Sequence, residues 1–440
     1  MPEPAAGGYT EMSASPGRGR IVSYENGLLL LLGLAFGIAF FDRNAGTILV
    51  PFIEHDIPLS NAETSLLSSG LSVTWALGAY FIARWSDASG VRKPFLLGFL
   101  LVFSVCSFIS GFARSFPVLL ASRMVMGAVE GPFLPVCLAI MAVESSEHRR
   151  GINAGIMQNF FASVLGQSLA PLLLVALAQE LSWRSAFYVA GVPGLLCALA
   201  VLLWVREPDK ATQAAVDLQG VGGSGARMGL GAMLGVRNIL LCCLVSVFMV
   251  AWLIMGWTFL PKFFTDYRHL SPTLMSYLMT ALGVASAISA FLVPALSDRL
   301  GRKPVMIAFC LLGVLSPLAA LYFRGPPLIL GALMFTGWLG SGTFPLFMGV
   351  IPGETISRRY AATAMGLVVC VGEVLGGTGI ILASGVLADA WGMPAALLIG
   401  AGCALAGGLL SLLLIETAPV RVRTAEAHRL SADALRRQAS

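Results

Sequence analysis

The sequence predicts an all-α polytopic membrane protein with twelve transmembrane helices in two pseudo-symmetric six-helix bundles. Three observations carry that expectation. Of 440 residues, 57% are hydrophobic and only 12% charged, about half the charged share (~25%) of a soluble domain; the mean hydropathy is +0.83. Apolar runs of roughly 20 residues, the length that crosses a bilayer, recur along nearly the whole chain. Finally, a charged loop pattern near residue 90 returns near residue 300.

Taken in order, the apolar runs are 25–50, 62–85, 94–113, 117–143, 150–178 and 184–205, then 238–263, 273–296, 304–323, 327–350, 360–388 and 393–415. Residues 1–24 are polar and rich in Gly, Ser and Pro, so a disordered N-terminus is expected. The first apolar run is a full span and lacks the layout of a cleaved signal peptide. Residues 206–237, charged and Gly-rich, divide the first bundle (25–205) from the second (238–417), and a basic tail follows at 418–440.

Lys and Arg set the orientation. With the N-terminus cytoplasmic, twenty-one of them fall on the inner side and five on the outer, leaving Arg43 and Arg123 inside spans. Both termini and the central segment are therefore expected in the cytoplasm, with the chain in a cell membrane of the bacterial inner-membrane kind. All eight Cys lie in apolar segments without a C-x-x-C pair, and all four His lie in loops or the tail. No metal site or cofactor is expected. The positive charge is scattered over short loops, which argues against a nucleic-acid partner; the expected partners are lipid and a small molecule, with the chain monomeric.

The halves repeat each other. WSDASGVRKP (85–94) corresponds to LSDRLGRKP (296–304), with Asp87 to Asp298 and Gly90 to Gly301 offset by 211. Gly131 to Gly342 and Phe133 to Phe344 share that offset. Two such bundles suggest alternating access around a site at mid-membrane. The repeated loop resembles the signature of the major facilitator superfamily. A cytoplasmic gate is accordingly expected from Asp87, Gly90, Arg92 and Lys93, and from Asp298, Arg299, Gly301 and Arg302. Ala88 stands where a basic residue usually follows the Asp, so the first-half latch is expected to be the weaker one.

Within that superfamily, D-R-N in span one and RMVMGAVEGPFLP (123–135) in span four are similar to the anion:cation symporter family. The resemblance implies that Asp42, Arg43, Arg123 and Glu130 serve coupling and substrate binding. The residues themselves agree. Arg123 and Glu130 are two turns apart on one helix face, with Gly127 between them allowing close approach. A charge at membrane centre costs at least about 2.5–3.5 kcal/mol, so all four must meet a partner or a watery cavity. Two readings stand: a buried ion-pair network that fixes helix register, or one that a substrate rewires. In the second, a carboxylate competes for an arginine, whose planar fork suits it. The displaced acid, unpaired in low dielectric, binds a proton, and anion and proton then favour each other's binding. Arg43 is expected to take the carboxylate, Arg123 to partner an acid beside it, and Asp42 and Glu130 to carry protons.

Glu373 lies mid-span in GLVVCVGEVLGG, as a substrate contact, a further proton site, or a protonated acid held by a backbone carbonyl. LGQSLAP (165–171) and LGGTGI (375–380) read as moving elements built of small residues. Candidate cavity walls are Asn44, Trp75, Gln158, Phe161 and Phe344, with Phe41, Asn159, Trp252, Trp257 and Tyr277. Few polar side chains sit at that depth, which favours an aromatic or short aliphatic carboxylate over a sugar acid. The expected function is proton-coupled symport of a small organic anion, with export or exchange of organic anions or drugs as the alternative. An enzyme is disfavoured because no His, metal-ligand cluster or serine nucleophile motif lies at membrane depth.

Overall fold

The computed structural model describes residues 24–146, 149–207, 230–418 and 421. The expected N-terminal segment, most of the 206–237 segment and the basic tail lie outside the described residues. Among those described there are helices and no strands. Twelve helices are long and apolar enough to cross a membrane: α1 Tyr24–Ile48, α2 Asn61–Ser86, α3 Lys93–Phe112, α4 Phe116–Glu144, α5 Ile152–Glu180 and α6 Trp183–Trp204; then α7 Arg237–Tyr267, α8 Pro272–Leu300, α9 Arg302–Tyr322, α10 Pro327–Thr355, α11 Thr363–Trp391 and α12 Met393–Ser411. They follow the apolar runs and overrun several of them, because a helix continues past the hydrocarbon wherever polar residues propagate its hydrogen bonds. Short loops make neighbours antiparallel, so α1, α6, α7 and α12 all have an end on one side, called here the terminal face; the opposite side is the far face.

Glycines set the tightest crossings. A Cβ at Gly127 would lie 2.4 Å from the Leu71 carbonyl oxygen, and one at Gly131 2.0 Å from that of Trp75, so α4 rides directly on α2. In the second half Trp252 and Trp338 pack at a tilt of 35° with ring centroids 4.6 Å apart. Their indole N–H groups donate to the Gly313 carbonyl and the Ser286 hydroxyl, both at 3.0 Å, as buried polar groups require. Among the described residues five segments widen to π-helix: Ile156–Phe160 and Ala162–Leu169 in α5, Phe263–Tyr267 in α7, Leu346–Val350 in α10 and Gly372–Ile380 in α11. Ala162–Leu169 and Gly372–Ile380 overlap the two small-residue stretches expected to move, and such bulges are frequent at functional sites.

The apolar core shows how the halves meet. One cluster holds only first-half residues from the terminal-face portions of their helices, such as Leu28, Leu100, Ile140 and Val201. A second holds the whole second half together with the far-face ends of the first, including Ile48, Ile53, Leu119 and Phe187. The halves are thus fused toward the far face and parted toward the terminal face. Polar ties reinforce the fused end. Asp389 of α11 accepts from the backbone N–H groups of Asn61 and Ala62 at 2.8 and 3.0 Å, capping α2 across the interface. Lys262 pairs with Glu54 and donates to the Leu59 carbonyl oxygen at 3.2 Å. Thr258 donates to Ser68 at 2.8 Å.

Burial pushes the Glu54 carboxyl up to about 7 despite the Lys262 ammonium beside it. When the far face opens, Glu54 is hydrated and returns toward the ordinary glutamate range. The closed arrangement therefore binds the extra proton, and lowering the pH through 7 favours it. Spin labels at exposed His55 and Leu328, which sit on opposite halves at this face, should report a shift toward the short distance between pH 8 and pH 5. The population ratio should change by more than about tenfold, and Glu54→Gln should flatten the dependence.

Candidate functional site

A cavity of about 720 Å3 lies where the halves part. Its wall is chemically lopsided. The first half contributes Arg43, Asn44, Ser72, Gln158, Asn159 and Gln167 among apolar residues. The second half contributes Val250, Leu253, Ile254, Trp257, Phe344 and Met348 and, among the described residues, a single charged side chain, Glu373.

Behind the first-half wall, Asp42 and Arg123 form a buried pair. The Arg123 guanidinium is 3.7 Å from the Asp42 carboxylate and donates to the Asp42 main-chain oxygen at 3.1 Å. It also donates to Ser110 at 2.6 Å and lies 5.0 Å over the Phe187 ring. Ser107 donates to Asp42 Oδ1 at 2.9 Å. Gly46 leaves room for the arginine, since a Cβ there would lie 3.2 Å from Arg123 Cδ. Both side chains are essentially out of solvent, so each charge depends on the other.

Arg43, the next residue on α1, is placed differently. Its guanidinium faces the cavity between Phe40 and Trp75, at 5.6 and 6.0 Å from their ring centroids, and among the described residues no carboxylate lies within salt-bridge distance of it. Cation–π contact takes the place of an ion pair here. The four charges therefore do not close into one neutral cluster. They fall into a close pair, Asp42 with Arg123, and a looser set in which Glu130 and Glu373 both lie in the field of Arg43, Glu130 lying also in those of Asp42 and Arg123. Asp42 Oδ2, Glu130 Oε1, Arg123 Nε and Glu373 Oε2 are buried without a hydrogen-bond partner. That is an unusual concentration of unmet polar atoms.

Of the residues read as cavity walls, Asn44, Trp75, Gln158, Asn159, Trp257 and Phe344 line it, as do the charged candidates Arg43, Arg123 and Glu373. Asn44 also donates to the Gly166 carbonyl oxygen at 2.6 Å, pinning α1 to α5 at the π-helical segment. Asp42 and Glu130 lie behind the wall. Phe161 does not line the cavity; its ring fills the space opposite Gly33. Trp252 is buried against Trp338, and Tyr277 is exposed on the outside of the bundle. Phe40, rather than Phe41, faces the cavity. These misplacements share one cause: composition gives the depth of a residue but not its angle around the helix.

The repeated loops on the terminal face are also resolved. Gly90 and Gly301 take positive φ, 65° and 103°, which explains why glycine recurs there. Arg302 binds Ser297 at 2.6 Å and Asp298, and reaches Glu354 at 2.8 Å, whereas Arg299 is exposed. The second-half latch thus rests on Arg302. In the first loop Arg92 donates to Ser86 at 3.2 Å; the Asp87 side chain is outside the described set. Sequence reading missed the acids that complete both loops. Glu207 accepts from the backbone N–H groups of Arg92 and Lys93, and Glu416 from those of Arg302 and Lys303. Each acid caps the start of a helix, where the dipole favours a negative charge. The clue was an acid just past the ends of spans six and twelve, in R-E-P and I-E-T.

The sequence profile of the Major Facilitator Superfamily matches residues 31–267 and 240–438. The chloramphenicol resistance protein of Streptomyces lividans is 28% identical over 352 residues, 78% of this chain and 86% of that one. The 3-(3-hydroxy-phenyl)propionate transporter of Escherichia coli K12 is 25% identical over 407 residues, 90% of this chain and 96% of that one. Among solved structures, a bacterial homologue of the human lysosomal transporter Spinster superposes with a TM-score of 0.68 at 18% identity, covering 89% of this chain and 97% of that one.

The two arginines should respond oppositely to truncation. Arg123→Ala strands Asp42 as a buried charge and should cost about 3–5 kcal/mol of stability. Arg43→Ala removes a cation without a salt-bridge partner and should cost about 1 kcal/mol or less. Thermal melts of the two purified variants in one detergent check the contrast.

Proposed function

The chain belongs to the Major Facilitator Superfamily, and we propose that it is a proton-coupled symporter of a small organic carboxylate. It is a membrane transporter and not an enzyme. The observation that carries the proposal is Arg43, a cavity-facing guanidinium with no salt bridge among the described residues, set among acids that each have an oxygen without a partner there.

In this reading the carboxylate of the substrate binds Arg43 and neutralises the charge that Glu130 and Glu373 feel. An acid deprived of its counter-charge in a water-poor site binds a proton. Arg123, which also reaches the wall, can turn toward the anion and leave Asp42 to a proton in the same way. Anion and proton thereby bind more tightly together than either does alone. The terminal face is the cytoplasmic one, following the Lys/Arg distribution, so the parted core corresponds to an inward-open state. The inner loops around Arg92 and Arg302 then act as the gate that closes when the far face opens. The protein works as a monomer in a bacterial inner membrane.

The similarity to a 3-(3-hydroxy-phenyl)propionate transporter supports an organic acid as substrate. The likeness to a chloramphenicol resistance protein supports a second reading, export or exchange through the same cavity, because gradients set the direction.

Proteoliposomes loaded with a pH dye test the coupling. Carboxylate uptake should acidify the lumen and scale with an imposed inward proton gradient. Arg43→Ala should abolish uptake. Glu130→Gln should reduce gradient-driven uptake at least tenfold while sparing exchange of substrate across the membrane. Uptake indifferent to the gradient, with both variants fully active, would refute the proposal.

A further inference from the structure

Glu373 is the charged side chain on the second-half wall of the cavity, and the first-half chemistry leaves it unexplained. It sits in the π-helical segment of α11, and its Oε2 has no hydrogen-bond partner. The one nearby hydroxyl on its own helix, Thr378, donates to the Glu373 main-chain oxygen at 3.2 Å and not to the carboxylate. Thr258, the other hydroxyl on this wall, is engaged with Ser68. The remaining neighbours, Val250, Ile254 and Val369, are aliphatic. Gly377 keeps the carboxylate's space free: a Cβ there would lie 3.0 Å from Glu373 Oε2 and 2.9 Å from Ile254 Cδ1. Among the described residues no salt bridge joins Glu373 to Arg43. The cavity therefore presents a cation on one wall, an acceptor on the other, and an apolar stretch between them.

We propose that Glu373 is a specificity-determining residue that accepts a hydrogen bond from a hydroxyl at the end of the substrate remote from its carboxylate. The transported molecule is then a hydroxylated carboxylic acid with an apolar body. This rests on the reading that Arg43 takes the carboxylate. A hydroxyl needs a single acceptor, and the Glu373 carboxyl offers one through its carbonyl oxygen even when it holds a proton. A site built to receive a hydroxyl rejects the analogue lacking it, since the buried acceptor is then left unpaired.

Calorimetric binding of three arylcarboxylates to the purified full-length protein tests this. The three differ only at the ring position remote from the carboxylate, which carries hydrogen, hydroxyl or methoxy. The wild type should bind the hydroxylated acid at least tenfold more tightly than the other two. Glu373→Ala should bring all three within twofold by weakening the hydroxylated acid alone, and Glu373→Gln, which keeps a neutral acceptor, should fall between. Absence of preference in the wild type, persistence of the preference in Glu373→Ala, or equal loss of all three acids in a folded Glu373→Ala would each overturn the proposal while leaving the carboxylate reading intact. If the alanine variant does not fold, Glu373→Gln decides: a preference reduced at least threefold supports the proposal, and an unchanged one overturns it. Failure of all three acids to bind, or binding that survives Arg43→Ala, would remove the carboxylate reading and this proposal with it.

Discussion

A charge cannot stand bare in hydrocarbon, and the first half of this protein is organised around that constraint. Asp42 and Arg123 satisfy it as a pair, with Ser107 and Ser110 taking up part of what remains and Gly46 making space for the guanidinium. The pair joins α1 to α4, while Ser107 and Ser110 bring in α3, so three helices are held in register by one polar contact. Because Arg123 is committed to Asp42, the adjacent Arg43 is left over, and it meets the constraint by facing the cavity between two aromatic rings. A neutral cluster of four would have closed the site; the split into a fixed pair and a free cation opens it.

The same economy of partners appears on the terminal face. Two loops, one in each half, use a hydroxyl, an arginine and a distant glutamate in the same arrangement: Ser86, Arg92 and Glu207, then Ser297, Arg302 and Glu416. These contacts run within a half and make each bundle end rigid. The contacts that cross between halves, from Asp389, Lys262 and Thr258, lie toward the far face. Rigid ends that do not grip each other, opposed to ends that do, leave the halves free to pivot, with the π-helical stretches of α5 and α11 as the softest parts of the helices that line the passage.

Much of this was legible in the sequence. Twelve apolar runs gave the helices, and the repeated S-D…G…R-K gave the internal symmetry. The membrane cost of charge pointed to Asp42, Arg43, Arg123 and Glu130. What composition could not supply was azimuth. Phe161 and Tyr277 have the depth of cavity residues but point elsewhere, and Phe40 faces inward where Phe41 was expected. Nor could it supply pairing: two acids and two bases within reach allow several partnerships, and only packing decides that Asp42 takes Arg123. Glu207 and Glu416 were overlooked for a related reason: their position just past spans six and twelve is visible, but a helix cap provided more than a hundred residues away leaves no pattern beside the helix it caps.

The lopsided cavity wall has an evolutionary consequence. Apart from Glu373, the groups that would manage charge belong to the first half, while the second half supplies shape, through side chains such as Leu253, Phe344 and Met348. Substitutions among those residues alter which molecules fit without disturbing the ionic machinery across the gap. A lineage carrying this fold can therefore change its diet by drifting in one half while selection holds the other still, and divergent cargoes at similar sequence distance are what such a division of labour produces.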